Sequence, residues 1–80
     1  TLLYAYRVEV FVTYDEKNEV YKVNIRSKGP IINETAAMFG GGGHKFASGV
    51  RTRNKEDIPL LLDSLEEVCR KYKAEINDVE

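Results

Sequence analysis

The stretch from Lys55 to Lys73 sets the tightest limit on what this chain can become. Ile58, Leu61, Leu62, Leu65, Val68, Cys69 and Tyr72 recur at helical spacing and fall on one face. A helix with a single apolar face must bury it against another layer. Eighty residues leave room for one domain, so the rest of the chain has to supply that layer. Asn54 or Asp57 can cap the helix. The second choice puts Pro59 in the first turn, where proline is tolerated. The tail after Ala74 reads as a frayed end.

The other layer is a sheet. From Tyr4 to Tyr14, Tyr4, Tyr6, Val8, Val10 and Val12 share one parity, with Arg7 and Glu9 on the other. Asp15 to Asn18 is a polar turn cluster. Alternation then resumes, with Tyr21, Val23 and Ile25 on one side and Lys22, Asn24 and Arg26 opposite. The two runs predict an antiparallel hairpin. Phe46 to Thr52 predicts a third strand, its regularity broken by Gly49. Between them, Ser27-Lys28-Gly29-Pro30 leaves the sheet and "ETAAMF" forms a short helix with Asn33 as its N-cap. Gly40 fits the left-handed position that ends a helix. Met38 and Cys69 read as core residues. The expected fold is α/β: a small mixed sheet, the long C-terminal helix packed on it, and the short helix leading into a glycine-rich loop.

Composition removes several function classes. No apolar stretch approaches the roughly 20 residues of a membrane span. Cys69 is the only cysteine, which excludes an internal disulfide and makes a reducing cytoplasm the natural setting. One Cys and one His cannot build a Cys/His zinc site. The chain starts at Thr1 instead of Met, and is expected to be a piece of a longer protein.

The net charge of −1 hides an asymmetry. Arg26, Lys28, Lys45, Arg51 and Arg53 face only Glu34 between positions 26 and 53, a local charge of +4, while the remainder carries −5. A local positive block in an acidic chain suits an anionic ligand at one site, unless it is a chance clustering of solvated charges.

Inside that block lies "MFGGGGHKFASG", residues 38–49. Ordered glycine costs roughly 0.5–1 kcal/mol relative to alanine in regular structure. Gly40 is accounted for as a helix stop; Gly41, Gly42 and Gly43 are not. Bare backbone lets a phosphate or base approach the main chain, and successive N–H groups can form an anion-binding concavity. The alternative is a flexible connection. The run is not a Walker loop, because Phe46 follows Lys45. Nor is it a dinucleotide fingerprint, because it follows a short helix. His44, the sole histidine, and Lys45 border the run, and the imidazole is placed to donate to a phosphate oxygen or lie against a purine. No partner base or nucleophile gives it a proton-transfer role. Arg26 offers a planar fork for phosphate, Ser27 a hydroxyl and Lys28 a point charge, all at a strand's end.

"VNIRSKGPIINETAAMFGGGGHKFASGVRT" resembles the DHHA1 domain, the module that follows the catalytic DHH domain in a large family of phosphoesterases. The Arg-Ser-Lys-Gly segment, the short helix, the Gly-Gly-Gly-His run and the Ala-Ser-Gly ending occur in the family's order. "HKFASG" is most similar to the branch of short-oligonucleotide phosphodiesterases that also dephosphorylate 3′-phosphoadenosine 5′-phosphate (pAp). The likeness is close over positions 20–52 and looser elsewhere.

The resemblance implies a division of labour. The DHH domain would hold the catalytic Asp/His motifs and a manganese centre. This chain has none of those motifs, so no catalytic residue, metal ligand or cofactor is expected in it. It would instead line the substrate cleft and take short single-stranded RNA or a nucleotide. Arg26 and Ser27 would hold a phosphate, Gly41, Gly42 and Gly43 would floor the terminal nucleotide, and His44 would contact its phosphate or base. Lys28, Lys45 and Ser48 belong to the same candidate set; lysine at 28 keeps the charge where relatives also carry arginine, but loses the fork. The expected partner is the chain's own N-terminal DHH domain, with a homodimer through that domain also open. Rivals within the family are a single-strand exonuclease, a cyclic dinucleotide phosphodiesterase and an exopolyphosphatase. Outside it stands a protein-interaction module docking an acidic partner.

Overall fold

A computed structural model describes residues 1–78. In chain order the elements are α1 (Leu2–Ala5), β1 (Glu9–Asp15), β2 (Val20–Arg26), α2 (Asn33–Met38), β3 (Gly42–His44), β4 (Ala47–Thr52) and α3 (Asp57–Asp78). The α/β class holds, with the long C-terminal helix and the short helix leading into the glycine segment.

The four strands form one sheet in the order β1-β2-β4-β3, and each pair is antiparallel. The sheet is therefore not mixed. β2 and β3 run in the same direction and are joined through α2, as a parallel pair would be, but β4 inserts between them. The connection is a split β-α-β unit.

Register decides which side chains share a face. Val10, Val12, Val23, Ile25, Ser48 and Val50 lie on one side. Helices α2 and α3 cover this side, and Ile25, Ile32, Ala36, Leu61, Leu65 and Cys69 lose essentially all solvent contact in one cluster with Val8, Val23 and Val50. Each large buried aliphatic side chain is worth about 1.5–3 kcal/mol, so the covered side is held firmly. Burial also pushes the Cys69 thiol above its ordinary pKa, with the nearby Glu66 carboxylate adding to the shift.

The first strand is shorter than its alternating pattern predicts. Residues Leu2–Ala5 form a helical turn instead. Thr1 Oγ1 accepts from the Tyr4 amide at 3.3 Å, and the Leu2 amide donates to Glu66 Oε1 on α3 at 3.0 Å. Leu2, Leu3 and Tyr6 pack against the core, and the Tyr6 ring meets Tyr72 edge-on with centroids 5.4 Å apart. Arg7, at φ 56°, then turns the chain into β1. Tertiary packing onto α3 thus overrides the local strand preference of "YAY".

Three further differences are local. Helix α2 begins at Asn33 with Ile32 at its N-cap, one residue earlier than expected, and no side chain caps it. Met38 is 76% exposed at the end of α2 and is not a core residue. Helix α3 starts at Asp57 and continues beyond Ala74 to Asp78; the last two residues of the tail lie outside the described residues.

Candidate functional site

Among the described residues no helix covers the sheet's other side, and its side chains fall into rows across the strands. One row is Glu9, Arg26, Ala47 and His44. The next is Phe11, Asn24, Gly49 and Gly42. A third contains Thr13, Lys22 and Arg51. Arg26 and His44, eighteen positions apart in sequence, share a face because β4 pairs with both their strands. Both side chains are exposed. A cavity of about 200 Å³ lies here, lined by Asn24, Arg26, Gly42, Ala47, Ser48 and Gly49.

The glycine run does not form the concavity of converging peptide nitrogens. It is divided between two jobs. The Gly40 amide donates to the Ala37 carbonyl at 3.0 Å and the Gly41 amide to the Ala36 carbonyl at 2.9 Å, with Gly40 at φ 81°. This is the Schellman ending of α2, and it consumes both N–H groups. From Gly42 the chain becomes the edge strand β3.

The reason for glycine also differs along the run. A Cβ on Gly41 would run into the Gly49 carbonyl oxygen, and one on Gly43 would stand 2.6 Å from the Ala47 oxygen. Gly43 also sits at φ 145°. Those two glycines serve the close approach of α2 and β3 to β4. Gly42 alone has open space where its Cβ would be and no left-handed backbone. It is the glycine of the run that the fold itself leaves unexplained, and it faces the cavity directly across from Gly49.

The two serines belong to the scaffold. Ser27 is 7% exposed, and its Oγ donates to the Pro30 carbonyl at 2.6 Å and accepts from the Gly29 amide at 3.2 Å. Ser48 Oγ donates to the His44 carbonyl at 2.8 Å, on the covered side of the sheet. Both hydroxyls were expected to meet substrate; each is occupied in closing a turn. Lys28 is exposed beyond the end of β2 and Lys45 is exposed in the β3–β4 turn, so neither joins the Arg26–His44 row. That turn is tied to the β2 exit by two backbone bonds, Ser27 N–H to the Phe46 carbonyl at 2.9 Å and Ile32 N–H to the Lys45 carbonyl at 2.8 Å.

Sequence reasoning did not select Asn24, Ala47 and Gly49, which line the same cavity, or Lys22 and Arg51, which line a neighbouring one. The signal was present in the parity of β2, where Lys22, Asn24 and Arg26 alternate with the core residues.

One sheet face is thus buried under helices, while the other is open, carries Arg26, Lys22 and Arg51, and is partly bare of side chains. The chain belongs to the DHHA1 domain family, whose model matches residues 2–71. Among its relatives, the bifunctional oligoribonuclease and PAP phosphatase NrnA of Bacillus subtilis is 33% identical over 66 residues, 82% of this chain and 21% of that protein. The Mycoplasma pneumoniae protein of the same name is 40% identical over 69 residues, 86% of this chain and 20% of its own length. A probable NrnA from Streptococcus mutans is 39% identical over 62 residues, 72% of this chain and 20% of that protein. The chain thus spans about a fifth of the relatives it matches. No described helix is long and apolar enough to cross a membrane.

Proposed function

We propose that this chain is the substrate-binding wall of a phosphoesterase that acts on short oligoribonucleotides and pAp. The carrying observation is the cross-strand row of Arg26, Ala47 and His44 beside the bare Gly42–Gly49 pair. The Arg26 guanidinium takes a terminal phosphate through its planar fork. The Gly42–Gly49 floor admits the nucleoside against main chain, since no Cβ stands between them. His44 closes the far side by donating to a phosphate oxygen or lying against the base. Asn24 supplies both a donor and an acceptor to a base edge or ribose hydroxyl.

Bond cleavage is assigned to a DHH domain, with its manganese, outside this chain. Among the described residues no group of three or more His, Cys, Asp or Glu side chains is placed to hold a metal ion. On this reading the part of these residues is to bind and orient. The relatives' names support the substrate class, and their greater length supports a partner domain. The setting is the cytoplasm.

Titration with pAp tests this reading. The amide resonances of Gly42 and Gly49 and the ring resonances of His44 are expected to move together and saturate. A titration that leaves them still, while an added protein partner shifts them, rejects the nucleotide reading in favour of an interaction module.

A further inference from the structure

Lys22 and Arg51 stand directly opposite each other on β2 and β4. Like charges in that relation oppose sheet formation, so the pair needs a reason. Asp15 offsets part of it, its Oδ2 lying 3.6 Å from Lys22 Nζ. Arg51 is exposed and makes no ion pair among the described residues. The two cations line a cavity of about 350 Å³ whose other walls include Val23, Asn24, Gly41, Gly49 and Val50. Asn24 and Gly49 also line the cavity beside Arg26, so the two spaces adjoin on one face.

We infer that Lys22 and Arg51 form a second anion subsite, which takes the other phosphate of a nucleoside 3′,5′-bisphosphate or the next phosphate of a short strand. This rests on the nucleotide-binding reading above and deepens it. Lys22 and Arg26 are four positions apart along β2, roughly 13 Å of strand. The row between them, Asn24, Gly49 and Gly42, carries only one side chain beyond hydrogen on these three strands. A nucleoside fits over that row, and the long flexible arms of Arg26 on one side, and of Lys22 and Arg51 on the other, lean inward to its two phosphates. An incoming phosphate also relieves the repulsion between Lys22 and Arg51, so the face is poised for a dianion at each end. The site thereby recognises two phosphates set one nucleoside apart, and not nucleotides in general.

Calorimetric titration of this chain with an adenosine 3′,5′-bisphosphate and with the 3′- and 5′-monophosphates tests the subsite. The bisphosphate is expected to bind at least tenfold more tightly than either monophosphate. In the double variant Lys22→Gln, Arg51→Gln that advantage is expected to fall to within about twofold, with monophosphate binding at Arg26 retained. Arg51→Lys is expected to keep most of the advantage, because a phosphate needs only the charge. Equal binding of bisphosphate and monophosphates by the unaltered chain overturns the subsite while leaving the Arg26 site standing. An undiminished advantage in the double variant does the same. Failure of all three nucleotides to bind removes both sites at once. Both substitutions sit on the uncovered face and remove a like-charge pair, so the thermal midpoint of the double variant is not expected to fall.

Discussion

Arg26 and His44 lie in one cross-strand row, with Ala47 of β4 between them. Two strand spacings put their Cα atoms roughly 10 Å apart. Neither residue has its side chain buried, and Arg26 makes no ion pair among the described residues. An exposed cation and an exposed imidazole thus flank Ala47 on the uncovered face, one row away from the Gly42–Gly49 pair.

Replacing Arg26 with alanine separates binding from folding. The side chain points away from the core cluster, so stability should stay within about 0.5 kcal/mol of the parent. A charge-assisted hydrogen bond is worth about 1.5–3 kcal/mol, so pAp affinity should drop at least about tenfold. Calorimetric titration and a thermal melt on the same sample read both quantities. A melt that falls as far as the affinity would point to a structural role.

The glycines should part company under substitution. Gly42→Ala has open space for its Cβ, and its stability cost should stay under about 1 kcal/mol. Gly41→Ala and Gly43→Ala must push against backbone of β4, and each should lose about 2 kcal/mol or more. Gly42→Val should fold yet bind pAp poorly, because its branches fill the floor opposite Gly49. Urea denaturation followed by nucleotide titration checks the series.

Ser27→Ala and Ser48→Ala should behave as stability variants. Each leaves a carbonyl, that of Pro30 or of His44, without its hydroxyl donor. A loss of about 1–3 kcal/mol is expected, while the nucleotide affinity of folded Ser27→Ala stays close to the parent. An affinity loss exceeding the stability loss in Ser27→Ala would return that hydroxyl to the binding site.

The β1–β2 hairpin should weaken in acid through Asp15. Its carboxylate accepts from the Asn18 side chain at 2.8 Å and from the Lys17 and Asn18 amides at 3.1 and 3.3 Å. These bonds, with the Asn18 side chain foremost and the Lys22 charge also contributing, hold its pKa below the ordinary value. A depressed folded pKa means the unfolded chain takes up the proton first as pH falls. The stabilisation is therefore present above the unfolded value of about 3.9 and is lost as pH drops through the lower folded value. Amide exchange at Lys17 and Asn18 should accelerate over that window, and Asp15→Asn should flatten the dependence.

Much of the fold was legible because two periods are strong. The spacing of Leu61, Leu65 and Cys69 defines the buried face of α3, and the alternation of Tyr21, Val23 and Ile25 fixes which way Arg26 points. Helix α1 was not legible, because "LLYAY" alternates as well as it turns, and only contact with Glu66 and Tyr72 decides between them. β3 was hidden because glycine carries no strand preference; its pairing with β4 creates it. At the candidate site, residue type and position select Arg26, Gly42 and His44, and the strand register brings all three onto one face. Ser27 and Ser48 were not separable from them, since a hydroxyl that closes a turn and one that meets a ligand look alike in sequence. Asn24 and Gly49 needed the register.

Because β4 is hydrogen-bonded on both flanks, it acts as a fixed gauge block between the two jaws of a caliper. The distance between the Arg26 and His44 backbones cannot widen without breaking a ladder, so only the motion of their two exposed side chains sets the opening above it.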